Sequence, residues 1–216
     1  MMNSTDKDNL SVKAYEKIKS MILKGELKQG QAISINSMAE TLGISRTPVT
    51  IACQKLEYEK LLTIVPKQGV IINTISIEDA CGIYELRAAI ESYNAKRVMK
   101  MMTDEDIAIL KKSIEKQSAF VAAGDTRAFM DEDHYFHRYI LSKNMNQELL
   151  SVINQLYDRA YMLGIKNSLS VRLTESIEEH KKIIDALEKR DRQAFADAIE
   201  ENILNGFRSL TRSFLV

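Results

Sequence analysis

Apolar residues recur every three or four positions along most of this 216-residue chain, the spacing that gives a helix one buried face. From Ser11 to Leu23, Val12, Tyr15, Ile18 and Ile22 mark such a face and predict a supporting helix. Between Ile33 and Ile72 the pattern shortens, and two brief amphipathic helices flank a turn at Leu42-Gly43-Ile44. In the second of them Val49, Ala52, Cys53 and Leu56 fall at i, i+3, i+4, i+7 and predict its buried seam. Ser45 stands at the N-cap position, where its hydroxyl would accept from the free N–H groups of the first turn. Pro48 lies within that turn, where a missing N–H costs little. Two β-rich runs follow, Leu62 to Val65 and Val70 to Asn73, joined by Pro66-Lys67-Gln68-Gly69, a connection with hairpin chemistry.

Beyond Asn73-Thr74-Ile75-Ser76 the patterning turns continuously helical, and no proline occurs from Ile77 onward. Breaks fall near Thr103, Gly124-Asp125, Asn144 to Asn146, Asn167 to Ser170 and Arg190-Asp191, with Ser76, Thr103 and Asp125 as caps. They delimit about six helices of roughly 15–25 residues, an antiparallel bundle. The expected fold is mainly α, with an N-terminal winged helix-turn-helix over residues 1–75 and an all-α bundle over 76–216.

The helix that opens at Ser45 leaves Arg46, Thr47, Thr50 and Gln54 opposite its seam. A short-chained polar face led by one arginine suits entry into a major groove. A hairpin directly behind such a helix is a wing, and Lys67 at its tip is placed for phosphate. Most amphipathic helices only pack, and most hairpins bind nothing. The order helix, turn, Ser-Arg-Thr-Pro helix, hairpin is what points to double-stranded DNA.

Charge refines this reading. The chain is neutral overall, yet residues 1–75 hold 10 Lys+Arg against 7 Asp+Glu, and residues 76–216 hold 20 against 23. A module of about +3 beside a remainder of about −3 fits a dimeric DNA binder, and argues against a heavily basic architectural or RNA-binding protein. No apolar run approaches the roughly 18 residues of a membrane helix, and no signal peptide precedes Leu10, so a cytoplasmic protein without a membrane partner is expected. The polar start, MMNSTDKDN, reads as disordered. Cys53 and Cys81 both lie on apolar helix faces. Buried thiols are the default there, with a redox-sensing role for Cys53 on the reading helix as the sharper alternative.

Candidate chemistry in the bundle centres on Asp133-His134-Tyr135-Phe136-His137. Asp133 and His137 are i and i+4 and point to a common spot, a two-point metal grip or merely a surface ion pair. His180 precedes the apolar Ile183-Ile184, so its face could turn inward. His134 is read as a surface residue, and the methionine pair Met101-Met102 as core filler. Arg87, between Glu85 and Glu91, is either half of a helix-surface ion pair or a clamp for an effector carboxylate, using bidentate guanidinium geometry. A metal-dependent hydrolase built on Asp133, His137 and His180 would need a positioned base or nucleophile as well, and none is arranged for it in the sequence.

The N-terminal third resembles the GntR family of bacterial transcription regulators. The matching residues are Lys24-Gly25-Glu26-Leu27-Lys28-Gln29-Gly30, Met38 through Val49 with its Ser45-Arg46-Thr47-Pro48, and Gly69 after the wing turn. The resemblance implies that Arg46 and Thr47 touch bases or backbone, while Lys67, Gln68 and Gly69 reach the minor groove. Family members often carry arginine at the positions of Asn36 and Thr50, so readout of guanine by those two positions is not implied here. Residues 78–210 resemble the FCD ligand-sensing bundle of the FadR subfamily, through Glu85-Leu86-Arg87-Ala88-Ala89-Ile90-Glu91, Asp133 to His137, Glu179-His180 with Ala186-Leu187, and Ala198 onward. In that family an Asp and three His hold a divalent metal, such as zinc, nickel or manganese. The first three map onto Asp133, His137 and His180, and the fourth falls on Asn202, whose amide oxygen is a poorer ligand for a transition metal. Six helices rather than seven favour the VanR-like branch. The implied function is a homodimeric regulator, expected to be a repressor, on a palindromic operator, with a small carboxylate effector in the bundle.

Overall fold

The structure, a computed structural model, describes the backbone of residues 4–167 and 170–214 and the side chains of 9–163 and 172–211. The chain divides into two compact units, Met1–Ile75 and Ser76–Val216.

The first unit begins with α1 (Ser4–Leu23). Residues 4–9, expected to be disordered, instead extend this helix. Once Ala14, Ile18 and Ile22 are buried in the contact of α1 with α3 (Arg46–Tyr58), each added residue needs only helix propagation, not a new nucleus. The buried stripe runs 14-18-22, and Val12 stands outside it, 53 % exposed. Between α1 and α3 lie β1 (Ala32–Ile33) and α2 (Ile35–Leu42), and after α3 come β2 (Leu62–Val65) and β3 (Gly69–Ile72). The three strands form one antiparallel sheet in the order β1-β3-β2. Two residues of β1 are too few for alternation to be visible, so this strand had no sequence signal. β3 starts one residue earlier than its apolar run, because Gly69 already pairs with Val65. A side chain at Gly69 would lie 2.5 Å from the Ile33 carbonyl oxygen, and its φ is +110°, so only glycine lets β1 cross there.

The second unit contains six α-helices among the described residues: α4 (Ile77–Val98), α5 (Asp104–Ala123), α6 (Thr126–Ser142), α7 (Gln147–Asn167), α8 (Ser170–Glu188) and α9 (Arg192–Phe214). A 3-10 turn, Met99–Met101, follows α4. The expected caps are formed. Ser76 and Asp79 make a capping box, as do Thr103 and Asp106, and the Asp125 carboxylate accepts from the Ala128 N–H. Residues 168–169, inside the expected break from Asn167 to Ser170, lie outside the described residues. α4 packs chiefly on α9 and α7, α5 on α6 and α8, and α8 on α9. Phe129, Phe136, Leu110, Ile183 and Phe195 anchor the apolar core. A polar layer, including Arg87, Glu91, Gln117, His137, His180 and Asn202, is buried within the unit. Among the described residues no helix is long and apolar enough to cross a membrane.

Candidate functional site

The exposed polar face of α3, the candidate reading face, is set by the turn before the helix. Ser34 caps α2 by accepting from the Ser37 N–H at 3.0 Å, and Gly43 ends α2 in the left-handed region. In α3, Val49, Ala52, Cys53 and Leu56 are buried, while Arg46, Thr47 and Gln54 are exposed and Thr50 half-exposed. Ser45 has the extended N-cap backbone but makes no side-chain cap bond. Pro48 is the reason: it sits at the third helical position, which an N-cap hydroxyl would serve, and has no N–H to donate. The two positions that lack arginine both touch Arg46. Asn36 Oδ1 lies 3.5 Å from its Nη1, and the Thr50 hydroxyl donates to its carbonyl at 3.0 Å. On the wing, Lys67 and Gln68 are exposed, with Lys67 at φ 65°, and Gly69 is packed beneath β1. Cys53 is fully buried, and burial, helped by Glu57, pushes its thiol up to about 11. That is the reverse of what a reactive thiol needs. Cys81 is half-buried rather than on a buried face, and donates to Glu85 at 3.4 Å.

In the bundle, Asp133, His137 and His180 each offer a ligand atom within 4.8 Å of the others. Of the three, Asp133 lines a cavity of about 90 Å³, together with Arg87, His134, Arg172, Ser176 and Asn202 among others. Arg87 and Glu91 do form an i,i+4 pair, Nε to Oε1 at 3.0 Å, but it is buried rather than on the helix surface. The other oxygen of Glu91 lies 3.0 Å from His137 Nδ1, so one carboxylate holds both the arginine and the histidine. Because a carboxylate only accepts, Nδ1 of His137 carries the hydrogen and Nε2 is left for another partner. His180 is held similarly, with Nδ1 2.8 Å from Gln117 Oε1 and Nε2 3.5 Å from Asp133 Oδ1.

Charge in this layer is closely balanced. Burial opposes ionisation of Glu91, but Arg87 and His137 outweigh it and hold the carboxyl down at about 2. Burial, then His137 and Arg172, pushes the His180 ring well below its ordinary value. Arg172 grips Glu179 with two nitrogens, at 3.0 and 2.8 Å, and Asn202 donates to the same carboxylate at 2.7 Å. Glu91, Gln117, Arg172 and Glu179 were not singled out in the sequence as site residues. The i,i+4 spacing of Arg87 and Glu91 was a signal for the pair, though not for its burial.

His134 overturns its expected place on the surface. It lines the cavity, edge-on to Tyr157 and Tyr161 at centroid distances of 5.3 and 4.9 Å. Helix spacing accounts for this, since His134 is i+4 from Met130 and i−3 from His137 and so shares the inward stripe of α6. Although it opens on the cavity, burial pushes its pKa down to about 3, with Asp133 opposing and Arg87 adding to the fall.

The residues fit a divalent metal as a three-ligand site. Each histidine has its Nδ1 engaged by an acceptor behind it, the arrangement that orients a metal-binding imidazole, and buried Nε2 of His180 has no hydrogen-bond partner. Asn202 lines the adjoining cavity with its amide nitrogen donating to Glu179, and its amide oxygen would be a poor fourth ligand, so a metal held by the three would keep open positions.

Comparison with known proteins identifies the kind of module in each unit. Residues 10–72 match the family described as bacterial regulatory proteins, gntR family, and residues 82–205 match the FCD domain. The chain is 25% identical to an uncharacterized HTH-type transcriptional regulator, YdhC, of Bacillus subtilis (strain 168), over 83% of this chain and 81% of that protein. It is 24% identical to the gluconate operon transcriptional repressor of the same organism, over 88% of this chain and 79% of the repressor. The fold matches that of E. coli McbR/YncC with a TM-score of 0.82, at 22% identity, covering 99% of this chain and 100% of that one. With an FCD domain spanning most of its second unit and a gntR-type module in its first, the chain belongs to the GntR family of bacterial transcription regulators, in its FCD-bearing FadR subfamily.

Proposed function

We propose that this regulator is a cytoplasmic repressor that acts as a homodimer on a palindromic operator and is controlled by a small carboxylate-type effector in the bundle cavity. The observation that carries the effector half is the meeting of Arg87 with Asp133 at one small cavity, beside His137 and His180. A volume of about 90 Å³ suits a molecule of a few carbons. Asp133, His137 and His180 would hold a divalent metal, zinc, nickel or manganese, and its charge would favour an anion there. That charge matters because Arg87 and Arg172 are already paired with Glu91 and Glu179. The similarity to a gluconate operon transcriptional repressor supports repression. Paired half-sites support the dimer, since one winged helix makes too few contacts for operator-level specificity.

The test is a mobility shift on duplexes selected from a random pool, with and without small organic acids. An effective acid is expected to change affinity about 5- to 150-fold. Failure to select any duplex would contradict the DNA reading, and indifference to every acid would contradict the effector reading. Elemental analysis of protein purified without chelators or a nickel column tests the metal. Less than about a tenth of an equivalent, with no uptake on titration, would remove it from the account.

A further inference from the structure

Resting on the reading that the cavity takes a small acid, we propose that His134 selects this effector by bonding a hydroxyl group on it, so that the natural ligand class is a short hydroxy acid. Two of the bundle's histidines have a partner behind them, Glu91 for His137 and Gln117 for His180. His134 differs. Among the described residues neither of its ring nitrogens has a hydrogen-bond partner, yet its position is tightly defined. Tyr157 and Tyr161 flank it edge-on, and Tyr161 is itself anchored by a 2.6 Å bond from its hydroxyl to Asp131. A histidine that served packing alone would be expected to have its nitrogens satisfied within the protein. Here the ring is fixed by its apolar contacts, and its polar edge is left to the cavity.

An imidazole offers one donor and one acceptor, and an alcohol offers the same pair in return. A carboxylate only accepts and an ammonium only donates, so either would use half of what His134 presents. The acid end of the ligand has its own recognition in Arg87, which lines the same cavity with Asp133 and Ser176. Apolar Phe129, Leu173 and Ile203 complete the wall and keep the carbon skeleton short. Without a ligand, the ring's nitrogens would be left to water. An acid without the hydroxyl would displace that water and return nothing, which is the costly case for a polar group in a confined site.

The experiment is calorimetric titration of the full chain, once treated with chelator and once supplied with zinc. The ligands are three matched pairs: glycolate and acetate, lactate and propionate, malate and succinate. In at least one pair the wild type is expected to bind the hydroxy acid about ten-fold tighter or more. His134→Phe keeps the aromatic edge contacts and is expected to bring that ratio to within about two-fold, by weakening the hydroxy acid and tightening the plain acid, which no longer strands a polar ring edge. His134→Gln, which again offers a donor and an acceptor, is expected to restore part of the preference. Equal affinities within every pair, or a ratio that survives in His134→Phe, would overturn the role of His134 while leaving the acid reading standing. Equal weakening of both members by His134→Phe would make the residue structural and overturn it too. If His134→Phe fails to fold, the wild-type ratios and His134→Gln decide. No binding of any of the six acids, in either metal state, would overturn both readings.

Discussion

The reading face of α3 and the cavity of the bundle place polar chemistry in opposite environments. Among the described residues of the first unit, Glu59 is the only buried charged or polar side chain. It is held by Tyr15 and Lys19 at 2.7 and 2.8 Å, far in role from the reading face. Arg46, Thr47 and Gln54 stand outside an apolar core and contribute little to it. In the second unit much of the charged and histidine chemistry around the cavity is itself core: Arg87, Glu91, His137 and His180 are all under 7 % exposed, while Asp133 and His134 are half-buried. DNA presents a large charged surface that comes to the protein, whereas a molecule of a few carbons has to be enclosed. The first unit can therefore change its specificity with little change in stability, whereas in the second a change at Arg87, Glu91, His137 or His180 also disturbs the core.

The largest expected effect breaks the buried charge layer. Glu91→Ala strands the Arg87 guanidinium and the Nδ1–H of His137 together, and should cost about 3–5 kcal/mol of stability. Denaturant titration checks it. A loss below about 1 kcal/mol would mean that water reaches the pair, and that the contrast between the two units is weaker than drawn.

A smaller effect tests a polar group in the same bundle that belongs to a cap rather than to the cavity. Asp106 accepts from the Thr103 N–H at 2.9 Å and the Tyr139 hydroxyl at 2.7 Å, and pairs with Lys143 at 2.6 Å. Burial would raise its pKa, but the bonds from Lys143, Thr103 and Tyr139 prevail and hold it below the usual carboxylate range. A carboxyl lowered in the folded state contributes stability that is complete above its unfolded value, about 3.9, and is lost as pH falls toward its folded value. Asp106→Asn should cost about 1–3 kcal/mol at pH 7, and the gap to wild type should narrow below about pH 4. A gap that stays constant with pH would show that the ionised form is not what matters.

The wing gives the smallest effect. Lys67→Ala should leave the melting temperature unchanged, weaken binding to all duplexes alike and lower the salt slope by about one unit per half-site. Loss confined to the operator would instead place Lys67 among the base-reading residues.

Legibility in the sequence follows the same division. The seam and exposed polar face of α3 and the caps at Ser76, Thr103 and Asp125 were visible, because periodicity and capping are local. So was the convergence of Asp133 and His137, which rests on one helix turn. The two-residue β1 carried no pattern, and the missing cap bond at Ser45 depended on noticing that Pro48 occupies the donor position. In the bundle, the burial of Arg87 with Glu91, and the places of Gln117 and Arg172, depend on which helices meet. No spacing within one helix reports that. His134 was misplaced because Asp133 and His137 defined the face, although His134 shares it by the i,i+3 relation.

The most direct measurement of the central claim, that recognition rests on the exposed face of α3 and is separable from folding, compares Arg46→Ala with wild type. Affinity is measured for the selected operator and for a scrambled duplex at one fixed salt concentration, beside a thermal melt of each protein. The expected result is a loss of about 1–3 kcal/mol in operator binding, little change on the scrambled duplex and an unchanged melting temperature. Normal operator binding by Arg46→Ala would contradict the placement of the reading helix, and a marked fall in melting temperature would contradict the separation of recognition from stability.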